Sequence, residues 1–174
     1  MLENKVVDNL EVIHIENGAY GTTVRADGLS KIRHLKLLTL LNVNFSGSIS
    51  HLSSEIGYLT WKKYPFQCLP PSFQPNKLVE LYLIESNIQR LWEGIKPLHS
   101  LKRLNLSHSK NLVELPNVRE ALNLESIELE GCIQLRKINQ SIGLLNVQPS
   151  SLTMMHGQNL IAGKRKFSVM EEKR

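Results

Sequence analysis

The sequence holds only two cysteines, Cys68 and Cys132, in 174 residues. They do not form the paired-cysteine caps expected of a secreted repeat protein. Long apolar runs are also missing. No stretch approaches the roughly 18 apolar residues of a membrane span. Met1-Leu-Glu-Asn-Lys5 lacks the apolar core of a signal peptide. These absences predict a cytoplasmic chain with no membrane partner. A strong charge of one sign is absent from the body of the chain. The total is +5, of which +3 lies in residues 161–174, leaving +2 for the first 160. A basic pI set by the tail is poor ground for nucleic-acid binding, so no nucleic-acid partner is expected. The six histidines, at 14, 34, 51, 99, 108 and 156, show no metal-ligand spacing with the cysteines. No Ser-His-Asp or Cys-His arrangement emerges from their order. Neither a metal, a cofactor nor enzymatic activity is expected.

What the chain does have is a period. Leu78, Leu81, Leu83 and Ser86 are followed by Leu101, Leu104, Leu106 and Ser109, then by Leu124, Ile127, Leu129 and Cys132. Each set steps by three, then two, then three, ending on a small polar residue or a thiol. The pattern runs back through Ile56, Leu59, Trp61 and Tyr64 to Leu35, Leu38, Leu40 and Val43. First residues fall at 35, 56, 78, 101 and 124, at intervals of 21, 22, 23 and 23. Leu10, Ile13 and Ile15 make a fainter copy ahead of them.

This is the skeleton of a leucine-rich repeat. Its central alternation is a short strand with one buried face. One unit cannot bury that face alone, so the fold exists only as a stack. The predicted class is α/β: a leucine-rich-repeat solenoid of five to six repeats, with a curved parallel sheet and short helices and irregular turns on the convex side. Residues 1–34 read as a partial repeat leading in, 35–145 as the repeats, and 146–174 as a divergent, disordered basic tail. The pattern stops after Leu145, where the next strand is due near 147.

Local signals add detail. Residues 18–26 read as a loop, and Asp27 as the cap of a short helix. Asn42 to Gly47 reads as a turn. Leu91, Trp92 and Ile95 suggest a helical turn closed by Gly94 and Pro97, and 117–123 a second short turn. Phe73 should plug the convex side. Ser86 and Ser109 can bond backbone groups of the adjacent turn; Val43 cannot, so the N-terminal coil should be less regular. Cys132 reads as a buried, reduced thiol.

Four motifs have competing readings. Gly157 to Gly163-Lys164 imitates a phosphate-binding loop, but five residues rather than four separate the glycines, and Arg165 replaces the Ser or Thr after the lysine. Lys164-Arg165-Lys166 is either a nuclear-targeting patch, which would move the chain from cytoplasm to nucleus, or a solvated end. Sequons at Asn44, Asn105 and Asn139 are chance matches without secretion. Trp92 is either a partner hot spot or convex-side core; its place behind the strand favours core.

The residue between the last two leucines of each strand points out of the concave face. That makes one column: His14, Thr39, Thr60, Tyr82, Asn105 and Glu128. Lys62, Lys63, Glu80, Lys102, Arg103, Glu125 and Glu130 flank it. The candidate protein-binding residues are Thr60, Lys62, Tyr82, Lys102, Asn105 and Glu128, with Tyr82 as anchor and the lysines steering; a merely solvated face would look the same.

Several stretches resemble the leucine-rich region of plant intracellular immune receptors of the TIR–NB–LRR class. Leu78-Val-Glu-Leu81 to Leu91-Trp-Glu-Gly94 is similar to a repeat type of that family, and Leu59 to Tyr64-Pro-Phe66 with Leu69-Pro-Pro-Ser-Phe73 to the repeat before it. Asn123 to Cys132 and Gln140-Ser-Ile-Gly143 fit as well. The resemblance covers about residues 5–145 and looks closest to legume members. It implies a protein-interaction, autoinhibition and recognition module, without the family's TIR and nucleotide-binding domains. The implied partners are a pathogen effector, a guarded host protein or the receptor's own nucleotide-binding domain. Two alternatives stay open: an extracellular leucine-rich-repeat ectodomain fragment, and a nucleotide-binding enzyme fragment.

Overall fold

The computed structural model describes residues 9–16, 23–144 and three short strands within 152–167. Seven strands form one parallel sheet: β1 (Val12–Glu16), β3 (Leu37–Leu41), β5 (Tyr58–Trp61), β6 (Glu80–Tyr82), β7 (Arg103–Asn105), β9 (Ser126–Glu128) and β11 (Leu152–Thr153). The alternation within each strand explains the sheet. Leu38, Leu59, Leu81, Leu104 and Ile127 are register neighbours, and each is at most 1% exposed. In the following inward row, Leu40, Trp61, Leu83, Leu106 and Leu129, each is at most 2% exposed. The expected solenoid of parallel strands is what the chain forms.

A second, weaker ladder runs along the back. β2 (Thr23–Arg25) pairs with β4 (Asn44–Ser46), and β8 (Glu114–Leu115) with β10 (Lys137–Ile138), both parallel. Between them Gln89 N–H donates to Gln67 C=O (2.8 Å), Val113 N–H to Gln89 C=O (2.9 Å) and Arg136 N–H to Val113 C=O (2.9 Å). Each turn thus satisfies its backbone on its neighbour at front and back.

The corners repeat as well. Asn42, Lys63, Glu85, His108 and Gly131 all have positive φ, from 55° to 74°. Each directly precedes the last position of its repeat motif. The left-handed step turns the chain so that Val43, Tyr64, Ser86, Ser109 and Cys132 point inward, where all are buried. The polar ones bond across turns. Ser109 Oγ–H donates to Leu83 C=O (2.9 Å) and accepts from Ser86 N–H (3.1 Å). With that proton engaged, the Ser86 hydroxyl donates to Ser109 Oγ (2.7 Å). Cys132 Sγ–H donates to Leu106 C=O (3.1 Å). Phe73 and Trp92 are buried behind the sheet, so Trp92 is core.

Several local expectations need correction. α1 (Ala26–Leu29) exists, but Asp27 does not cap it; it sits in the first turn, held by Arg25 Nε (3.1 Å) and Nη2 (2.9 Å). The guanidinium fork offers two charged donors where a backbone cap offers one. The 18–26 loop contains β2, and the Asn42–Gly47 turn contains β4; residues 17–22 lie outside the described part. Leu91 to Ile95 is not helical: Ile95 bridges in parallel to Asn117, so the backbone bonds between turns rather than within one. After Leu145 a strand does follow. Leu152–Thr153 pairs with Ile127–Glu128, because main-chain pairing at an edge needs no leucine spacing. β12 (Leu160–Ala162) and β13 (Arg165–Phe167) form an antiparallel hairpin beside β10 and the 3-10 turn Gln140–Leu144. The rest of the tail predicted to be disordered lies outside the described residues.

Candidate protein-interaction face

The sheet has one buried and one exposed face, and the exposed one carries the column. Register pairs His14 with Thr39, Thr39 with Thr60, Thr60 with Tyr82, Tyr82 with Asn105 and Asn105 with Glu128. Thr39, Thr60, Tyr82 and Asn105 are half-buried, while His14 and Glu128 are exposed.

Each named residue has a distinct setting. Tyr82 packs between neighbours, and burial, followed by the charge of Glu80, pushes its phenol above the ordinary range. Lys62 lies 3.0 Å from Glu85, and its hydrogen bond holds that carboxyl below the usual range. Asn105 is tied at both ends: its Oδ1 accepts from Ser107 N–H (2.9 Å) and its Nδ2 donates to Glu128 Oε2 (2.6 Å). Lys102 stands one residue ahead of β7, with its ammonium 3.5 Å from Glu125. It borders the column at the start of the strand rather than standing in it. Arg103, one residue on and within β7, does stand in the face, bonded to Glu80 and 3.6 Å from Glu125.

The sequence reading missed the apolar share of this face. Val12, Leu37 and Tyr58 form a register row beside the column. Val12 is 55% and Tyr58 48% exposed, and Leu37 is half-buried. Leu41 and Ile84 are also half-buried. The signal was in Leu37-Leu-Thr-Leu-Leu41: once Leu38 and Leu40 face the core, period-2 geometry turns Leu37 and Leu41 outward.

The other candidates resolve differently. A phosphate-binding loop leads from a strand into a helix, but here Leu160–Ala162 is itself a strand and Arg165–Phe167 returns as its antiparallel partner. Among the described residues no group of three His, Cys, Asp or Glu could hold a metal ion. No helix among them is long and apolar enough to cross a membrane.

Fold and face define a leucine-rich-repeat solenoid, and residues 77–96 match the Leucine Rich Repeat family model. The stretch that the chain matches in full-length relatives is that of plant disease resistance proteins. Disease resistance protein RML1B of Arabidopsis thaliana is 32% identical over 181 aligned residues, spanning 90% of this chain and 17% of its own length. Disease resistance protein TAO1 from the same plant is 40% identical over 95 residues, 55% of this chain and 8% of its own. Disease resistance protein RPP2A is 47% identical over 91 residues, 52% of this chain and 7% of its own. The chain thus spans less than a fifth of these relatives.

Proposed function

We propose that this chain is the contact region of a plant immune receptor and works without catalysis. Its exposed sheet face meets a pathogen effector, a guarded host protein or the receptor's own nucleotide-binding domain, which it holds off. The observation that carries this is the register: the six strands from β1 to β9 align their outward residues in rows, with half-buried Tyr82 in the middle. Leucine-rich-repeat solenoids are protein-interaction modules that use such extended faces. Both cysteines are free thiols, which supports a cytoplasmic setting.

The test is a binding measurement with the purified chain against a panel of effectors, host proteins and a nucleotide-binding domain. Tyr82→Ala with Lys102→Glu should weaken the productive interaction by about tenfold or more, as for an anchor with a flanking charge. A tight partner bound equally by the double variant would overturn the assignment of the face.

A further inference from the structure

The exposed face changes chemistry along the stack. Over the first strands one of its rows is apolar, with Val12, Leu37 and Tyr58 as neighbours. At β9 and just past it the face is acidic. Glu128 and Glu130 are exposed. Glu128 is held by the neutral Asn105 amide (2.6 Å), which leaves its charge uncompensated. Among the described residues neither carboxylate is paired with a cation, whereas Arg103 and Lys102 are already engaged by Glu80 and Glu125.

Resting on the reading of this face as a contact surface, we propose that it takes an extended segment of a partner protein laid across the strands. Aliphatic or aromatic side chains of the segment cover the Val12–Leu37–Tyr58 row, and lysine or arginine side chains meet Glu128 and Glu130. Charge complementarity fixes the direction of the segment. Spacing follows from the sheet. Tyr58 is in register with Ser126, so Glu128 lies three strand intervals across, about 14 Å, and two residues along, about 7 Å. An extended chain advances about 3.3 Å per residue, so the apolar and basic anchors should stand about five residues apart, and a segment of about eight residues should run from β1 to β9.

The probe is a library of random peptides of about 12 residues, displayed on phage and selected on the full chain. Enriched sequences should pair an aliphatic or aromatic residue with a basic one at a separation of about five. Synthesised winners should bind about 3–10-fold more weakly to Glu128→Gln/Glu130→Gln, in line with exposed charge pairs. That variant should also lose most of the salt dependence seen with the wild type. Both glutamates are exposed, so its thermal midpoint should match the wild type, which separates binding from folding. Winners without basic residues, winners indifferent to the glutamates, or no enrichment at all would each overturn the proposal. Loss of binding with Tyr58→Ala and Tyr82→Ala but not with the glutamate variant would refute the polarity and leave the face standing. Winners insensitive to all of these would refute both.

Discussion

Cys132 shows what the last position of each repeat requires: a small side chain with one donor, aimed at the preceding turn. Its thiol does for Leu106 what the Ser109 hydroxyl does for Leu83. Burial pushes the thiol up to about 11 from 9.0. The folded protein therefore keeps this proton at a pH where the unfolded chain releases it. The stability linked to it is intact below pH 9 and is lost as pH rises from about 9 to 11. Tyr64, whose phenol donates to Cys68 C=O (2.9 Å), is pushed up by burial and acts in the same direction. The thermal midpoint should fall across that alkaline range in the wild type and less steeply in Cys132→Ser; parallel curves would remove Cys132 from the account. Residues of this kind were legible because spacing and size together mark them. The left-handed corners were not. Asn42, His108 and Gly131 are residue types that favour positive φ, but Lys63 and Glu85 are not. The stack imposes the conformation on them through bonds such as Lys63 N–H to Ile84 C=O (2.9 Å) and Glu85 N–H to Ser107 C=O (2.9 Å).

At the scale of elements, a strand draws its stability from both sides. Leu106 is fully buried, between the rungs of Leu83 and Leu129, whereas Leu10 is only partly buried beside the first strand. Leu106→Ala should cost about 2–5 kcal/mol, clearly more than Leu10→Ala. Chemical denaturation of the two variants checks this, and matching midpoints would count against the register. The front sheet was readable from sequence because three buried positions recur in every turn. The back ladder was not: its strands run two or three residues, too short for a period to show. The helical reading of Leu91 to Ile95 failed for a related reason. A 3.6-residue spacing over a single turn is matched equally well by an extended segment with two buried side chains, and backbone bonding to the next repeat decided the outcome. The candidate face divided in the same way. Its column followed from alternation, but the pairing of Lys102 with Glu125, the engagement of Asn105 and the apolar row depend on neighbouring strands, which one strand's sequence does not display.

For the molecule as a whole, the six strands from β1 to β9 stand about 4.8 Å apart, and with about four residues each at 3.3 Å they give a face of roughly 24 by 13 Å. That is about 310 Å², under half of the ~800 Å² per partner in a stable interface. This chain should therefore bind a partner with a Kd in the micromolar range or weaker by calorimetry; nanomolar affinity would show that surface outside the sheet face takes part. The left-handed corners bear on how such a face can diversify. From Leu35 to Asn42, Ile56 to Lys63, Leu78 to Glu85, Leu101 to His108 and Leu124 to Gly131 the distance is seven residues every time. The way back to the next turn takes 14, 15, 16 and 16. All the drift in repeat length is absorbed behind the sheet, as slack in a belt is taken up away from the working pulley. Insertions on the return path leave every outward side chain in phase, whereas one residue gained or lost within the seven would turn a whole strand inside out. The front is thus a fixed frame whose rows can be rewritten one side chain at a time, with the tolerance for sloppiness kept behind the sheet.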